Sequence, residues 1–324
     1  MSAVSIPKSK GKPTNSISRC FKIFFREMKR NKILYLMILP AILYFIIFNY
    51  APMAGVVAAF KRFNYNDGLF GSPWCGLDNF KFLWRSGTLP RITINTILYN
   101  VVFMGLEVVT QVGMALLLNE IISKKFKKAT QTMMFMPYFI SYVILSVFVY
   151  NIFNYDNGLL NNILQSLGFE KFSAYTTTWI WKYVLVFFEQ WKSLGYGVVI
   201  YLAAITGISD EYYEAARIDG ASHWQEIRYI SLPMLKPTVI TIVLFAVGRI
   251  MKGQFELFYQ IIGTNGVLYN STDIIDTYVF RSLTQTFDVG MGTAAGLYQS
   301  LFGLVLILTV NGIIKKINAD YALF

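Results

Sequence analysis

The chain is poor in the residues that carry most chemistry in soluble enzymes. It has two cysteines and one histidine in 324 residues, and only 15% of it is charged. A single histidine, His223, leaves most zinc sites without their ligands. Two cysteines, Cys20 and Cys75, are too few for a disulfide framework. There is no G-x-x-x-x-G-K-[ST] phosphate loop; the "GKPT" at Gly11 has no strand before it, so the chain is not expected to bind ATP. The polar and apolar alternation of membrane strands is also missing.

What remains is apolar. Hydrophobic residues make up 55% of the chain and aromatics 17%, with a mean hydropathy of +0.47, far from a soluble domain with about a quarter of its residues charged. Six runs, 33–60, 95–119, 130–153, 179–205, 238–262 and 294–314, each reach the roughly 20 apolar residues that a spanning helix needs. They are too long for strands. The expected class is therefore all-α: a polytopic integral membrane protein with six transmembrane helices. Backbone groups in hydrocarbon find no water, so Pro137 and Gly248 inside these runs should be buried against other helices or a wet cavity.

Loop charge orients the spans. Lys8, Lys10, Lys12, Arg19, Lys22, Arg26, Lys29, Arg30 and Lys32 precede the first; Lys124, Lys125, Lys127 and Lys128 follow the second; Lys315 and Lys316 follow the sixth. With alternating spans these share one side, which the positive-inside rule makes cytoplasmic. Residues 1–32 read as a basic cytoplasmic tail and 33–324 as the transmembrane domain, with both termini inside. The formal charge of +11 is then explained by anionic lipid at helix ends, without nucleic acid. The apolar run after the tail starts late and has no clear cleavage site, so the first span is expected to be retained. Cys20 and Cys75 fall on opposite sides and do not pair.

Ionisable residues inside spans are costly and usually face a cavity or a partner. Glu107, Lys192 and Arg249 lie at one depth, about 15 to 20 Å from a span's end at 1.5 Å per residue. Glu189 shares a helix face with Lys192, as Arg249 does with Lys252 and Glu256. Tyr183, Phe187, Phe188, Trp191, Tyr196, Phe255 and Tyr259 accompany them. Two readings stand: a substrate path with aromatic platforms for sugar rings, or the ion pairs Glu189–Lys192 and Lys252–Glu256 merely holding helices together. Gly292 and Gly296 form a G-x-x-x-G that suits close helix contact.

One stretch is polar, "EYYEAARIDGASHWQEIRYISLP" from Glu211 to Pro233. Ser209 or Asp210 can cap a helix that Asp219-Gly220 then breaks, and Ser222 can start a second, stopped by Pro233 with Pro237 behind it. The result is helix, glycine turn, helix over 209–236, on the cytoplasmic side. Its plain reading is a solvated hairpin in which Glu214 and Arg217 pair at i and i+3. Its lone His223 beside Trp224 reads as a surface or packing residue.

Glu214-Ala215-Ala216, Gly220 four residues on, and Ile230-x-Leu232-Pro233 resemble the EAA loop of permease subunits in binding-protein-dependent ABC importers. From about Leu34 onward the chain resembles the six-span carbohydrate-uptake permeases. "GLDNF" from Gly76, "ALLLNE" from Ala115, "FMPYFIS" from Phe135 and "GYGVVIYLAAITGI" from Gly195 appear in order. "DTYVFR" from Asp276 and "AAGLYQS" from Ala295 resemble the subgroup handling oligo- and polysaccharide fragments, which includes an alginate importer.

The resemblance implies a transport subunit of a bacterial cytoplasmic membrane that forms half of a translocation path for an oligosaccharide. It places Glu214, Ala215, Ala216, Arg217 and Gly220 in a coupling helix seated in a cytoplasmic ATPase, anchored by Ile230, Leu232 and Pro233. It implies a second, related permease chain, two ATP-binding cassette subunits holding ATP and magnesium, a separate extracytoplasmic solute-binding protein, and no cofactor on this chain. The cations Lys192, Arg249 and Lys252 suggest an acidic substrate such as a uronic-acid fragment, while Glu107, Glu189 and Glu256 leave a neutral oligosaccharide open. A polytopic membrane enzyme would need a His, Asp or Ser cluster in register, and none is found. A secondary transporter would usually show internal repeats, and none is found either.

Overall fold

The structure, a computed structural model, describes residues 26–27 and 30–317. Cys20 and most of the basic tail lie outside the described residues. The chain forms two units, Met1–Val56 and Val57–Phe324. Among the described residues every regular element is a helix, and the one β-type pairing is an isolated bridge between Lys61 and Trp74.

Helix α1, Lys32–Phe60, is a 29-residue apolar rod with Pro40 inside it and a π-helical turn at Ile46–Tyr50. The second unit contains α2 (Asp78–Arg85), α3 (Thr88–Asn119), α4 (Lys124–Phe135), α5 (Tyr142–Phe153), α6 (Leu159–Ser166), α7 (Ile180–Thr206) and α8 (Asp210–Ile218). Then come α9 (His223–Val247), α10 (Phe255–Ile262), α11 (Ile275–Thr284) and α12 (Val289–Ile317). Four helices, α1, α3, α9 and α12, are long and apolar enough to cross a membrane, or up to six if each of two bent pairs is one span. The chain is all-α and polytopic.

Two of the apolar runs are not straight helices. The run 130–153 bends by 94° between Phe139 and Tyr142. Pro137 is buried in a short 3-10 turn, Met136–Phe139, and Ser141 begins the next helix by accepting from the Ile144 N–H at 3.3 Å. Proline supplies no N–H and the serine caps a new start, so two short helices replace one long one. The run 238–262 is interrupted: α9 stops at Val247, the chain turns through Gly248–Gln254, and α10 restarts at Phe255.

Pro233 does not stop its helix, contrary to the expectation from sequence. A π-helical turn, Ile227–Ser231, lies immediately before it and the helix continues to Val247 with Pro237 inside. The wider turn makes room for the ring where an α-turn would press it on the carbonyl four residues back. The G-x-x-x-G packs within the chain: a Cβ on Gly292 would lie 3.1 Å from Ser282 and Leu283 of α11, and one on Gly296 4.0 Å from Val279.

The core of the second unit is layered along the helices. One apolar cluster joins Tyr99 and Phe103 of α3, Leu145 of α5, Leu185 and Phe188 of α7 and Phe258 of α10. A second joins Ala59, Leu83, Ile92, Met251, Ala294 and Ala295. A third, nearer the other end of α3 and α7, joins Val112, Ala115, Tyr201, Leu202 and Leu235. Between the first and third, on both helices, the side chains turn polar.

Candidate functional site

The polar layer begins with helical spacing. On α3, Tyr99, Phe103, Glu107, Gln111 and Ala115 recur every four residues, so one face runs from apolar through polar to apolar again. On α7, Leu185, Glu189, Lys192, Tyr196 and Ile200 follow the same course. The two faces meet α9 around a cavity of about 590 Å³ lined by Glu107, Gln111, Glu189, Lys192, Tyr196 and Arg249, with Tyr138 and Tyr142 from the α4–α5 bend. A smaller cavity of about 270 Å³ shares Glu107, Arg249 and Gln254 and adds Asn100 and Lys252.

Close approach of backbones closes this layer. A Cβ on Gly195 would overlap the Met134 carbonyl, and one on Gly197 would overlap the Gln111 amide. Glycine here serves contact: α7 presses on α4 at one point and receives the Gln111 side chain at the other.

Lys192 is held by backbone. Its Nζ donates to the Tyr138 carbonyl at 2.7 Å and the Ile140 carbonyl at 2.6 Å, and it lies over the rings of Tyr142 at 4.9 Å and Tyr138 at 5.4 Å. The bend frees those carbonyls from helical partners, and an ammonium is a natural cap for them. Glu189, only 3% exposed, accepts from the Tyr142 hydroxyl at 3.0 Å. Neither Glu189–Lys192 nor Lys252–Glu256 is an ion pair among the described residues.

The interruption after α9 is held from three helices. Asn100 of α3 donates to the carbonyls of Ile250 (3.1 Å) and Lys252 (3.2 Å). Asp276 of α11 accepts from the Gly253 N–H at 2.7 Å, and Gln299 of α12 donates to Met251 O at 2.6 Å and to Asp276 at 3.0 Å. Irregular backbone at this depth is tolerated because neighbouring side chains replace its lost partners. The Arg249 side chain forms no ion pair among the described residues and lines both cavities.

The structure thus gathers Glu107, Glu189, Lys192, Tyr196 and Arg249 around one cavity and puts Lys252 in the adjoining one. Tyr183 and Trp191 are exposed on other faces of α7, and Glu256 sits in the first turn of α10, where the helix dipole favours an acid; none of the three lines either cavity. Periodicity explains the exclusion: Trp191 lies about 100° around the helix from Lys192. Sequence reasoning missed Gln111, Asn100, Tyr138 and Tyr142. The four-residue stripe on α3 points to the first, and Pro137 beside two tyrosines signals the last two.

At the far end of α7 the 209–236 segment is a helical hairpin. Gly220 adopts a left-handed φ of +82°, and the Ala221 N–H donates to Ala216 O at 2.9 Å to close α8. Ser222 starts α9, its N–H donating to Gln225 Oε1 at 2.6 Å. Arg217 does not pair with Glu214. It reaches across the turn to the buried Glu226, Nε to Oε1 at 2.8 Å and Nη2 to Oε2 at 3.3 Å. The Arg217 hydrogen bond holds the Glu226 carboxyl below its usual range, and Glu226 in turn raises Arg217.

Glu214 and Ala215 are exposed and Ala216 is half-buried. Ile230 is half-buried, but Leu232 and Pro233 face outward. The attachment to α9 is made by neighbours: Tyr213 and Ser231 share a 2.9 Å hydroxyl hydrogen bond, and Leu235 is buried. Ile218, Trp224 and Tyr229 stand exposed on the hairpin.

Comparison with known proteins gives the family. Residues 111–319 match the family described as binding-protein-dependent transport system inner membrane component. Protein LplB of Bacillus subtilis (strain 168) is 31% identical over 98% of each chain. The polygalacturonan/rhamnogalacturonan transport system permease protein YteP of the same organism is 31% identical over 91% of each. Among solved structures, a chain of a bacterial alginate ABC transporter in complex with an alginate pentasaccharide-bound periplasmic protein superposes with a TM-score of 0.80. It is 31% identical and matches over 90% of this chain and 97% of that one. This chain belongs to the family of binding-protein-dependent transport system inner membrane components, and its work is transport rather than catalysis.

Proposed function

We propose that the chain is the membrane-spanning subunit of an ATP-driven importer and forms half of the path for an acidic oligosaccharide. The observation that carries the acidic reading is Arg249: a cation without an ion pair among the described residues, on a stretch of broken helix, facing two joined cavities. Lys252 adds a second cation. Lys192 is occupied by two carbonyls and so shapes the cavity more than it binds. The rings of Tyr138 and Tyr196, stacked at 5.0 Å, offer a platform for a sugar face. Relatives named for polygalacturonan/rhamnogalacturonan transport and for alginate import support the same class.

Domain layout and partners follow from the same reading. Residues 1–32 are a basic cytoplasmic tail, 33–324 the transmembrane domain, and both termini are inside. The 209–236 hairpin faces the cytoplasm, and its exposed Glu214 and Ala215 meet one of two ATPase subunits that hold ATP and magnesium. A related second permease completes the path, and an extracytoplasmic binding protein delivers the substrate. Glu107 shares both cavities with Arg249 and favours a second reading, in which the two neutralise each other and the substrate is a neutral oligosaccharide.

The test is reconstitution of the chain with its co-expressed partners in lipid, with ATP hydrolysis measured against loaded binding protein and a panel of uronic-acid and neutral oligosaccharides. Stimulation by uronic-acid fragments that Arg249→Gln abolishes is the expected result. Stimulation by neutral sugars alone, unchanged in Arg249→Gln, overturns the acidic assignment. Absence of any co-purifying ATPase overturns the importer itself.

A further inference from the structure

The one histidine of the chain is not a packing residue. His223 Nε2 lies 2.7 Å from Oε2 of Glu120, the residue that ends α3, and its Nδ1 lies 3.6 Å from Oε2 of Glu226. Both contacts become ion pairs only when the imidazole carries its second proton. Glu226 is fixed from the opposite side by Arg217. The four side chains therefore form one line, Arg217–Glu226–His223–Glu120, running from α8 through the start of α9 to the end of α3.

This line borders a cavity of about 630 Å³ between the hairpin and the ends of α3 and α7. The charged groups facing it are Asp210, Glu214 and Arg217 from α8, Glu226 from α9 and Glu120 from α3, while Lys127 of α4 reaches the neighbouring Asn119 at 3.4 Å.

We infer that His223, when charged, is the positioning residue that ties the hairpin to α3 and makes α3, as well as α9, follow the hairpin's motion. The inference rests on the coupling role proposed above. The hairpin has two routes to the polar layer. One is covalent: α9 runs unbroken from His223 to Val247 and delivers Arg249 to the cavity. The other depends on a charge: α3 is one continuous helix from Thr88 to Asn119 and delivers Glu107 to the opposite wall. Loss of the His223 charge removes the ion pairs, weakens the second route and leaves the first, so ATP is hydrolysed with less movement of substrate.

Histidine is the side chain whose ordinary charge change falls between about pH 5 and pH 8. The experiment is transport per ATP hydrolysed in the reconstituted complex from about pH 6 to about pH 8.5, for wild type, His223→Gln and His223→Lys. The wild-type ratio falls as pH rises. His223→Gln is low throughout, by about threefold against wild type at the acid end, the scale of a partly exposed charge pair. His223→Lys keeps a permanent cation in reach of both carboxylates, restores the ratio and removes its pH dependence.

Glu120→Gln matches His223→Gln, and the double variant is no worse than either single one. It also carries the test if His223→Gln does not assemble. A His223→Gln complex with the wild-type ratio and pH profile overturns the inference while leaving the importer intact. A wild-type chain that binds no ATPase overturns the coupling role, and the inference falls with it.

Discussion

Two helices of this bundle are broken at the level of the polar layer, and the breaks are held differently. The α4–α5 bend is fastened by a charge: Lys192 of α7 donates to two carbonyls and covers two tyrosine rings. The break after α9 is fastened by Asn100, Asp276 and Gln299 from three other helices, which leaves Arg249 without an ion pair among the described residues, beside the cavity. In the first break a cation is consumed to hold backbone; in the second, amide and carboxylate groups hold backbone and a cation is set free. An intramembrane charge is therefore not a substrate contact by location alone. Its partners decide.

That contrast can be broken at several points. Gly195→Ala should have the largest effect, because its Cβ would meet fixed backbone of α4: a loss of about 3 kcal/mol, read as a fall in thermal midpoint or in folded yield from detergent. Lys192→Met should cost about 2 kcal/mol, since two carbonyls lose their donor; a midpoint equal to wild type would remove Lys192 from the bend. Asp276→Asn should cost about 1 kcal/mol, because Gly253 keeps an acceptor but loses its charge.

Arg249→Gln should change stability by less than about 0.5 kcal/mol yet lower uptake of an acidic oligosaccharide about tenfold, the scale of one charge-assisted contact. Loss of both together would make Arg249 a brace like Lys192. The smallest effect belongs to the hairpin, outside both breaks. Glu226 is held below the usual carboxylate range by Arg217, so its contribution is complete above the ordinary glutamate value and is lost as pH falls through the lowered one. Amide exchange at Gly220 and Ala221, corrected for intrinsic rate, should quicken only below about pH 4. A change at neutral pH would point to another group.

Much of this was legible in the sequence because membrane solvent imposes simple rules. Apolar runs of about 20 residues and the absence of strand alternation gave an all-α, polytopic chain, and the order of short motifs gave its family. Glu107, Lys192 and Arg249 could be placed at one depth from helical rise alone. What depth cannot supply is direction: Trp191 shares the level but not the face, and Glu256 sits beyond a break that hydropathy does not register. Glu214–Arg217 was the obvious local pair, yet the Gly220 turn brings a better, buried partner from the next helix. Pro233 looked like a stop because the π turn that accommodates it has no local sequence signature.

The polar layer also bears on how the chain enters its membrane. Helix α7 brings Lys182, Glu189 and Lys192, and each charge opposes insertion of an isolated helix by roughly 2.5 to 3.5 kcal/mol at its centre. Among the described residues Glu189 and Lys192 find their side-chain hydrogen-bond partners on Tyr142, Tyr138 and Ile140, all on the segment synthesised before α7. The bent α4–α5 segment thus acts as a receptor for the helix that follows it. The two are expected to leave the insertion machinery as a unit, with α7 settling into hydrocarbon once the bend has formed.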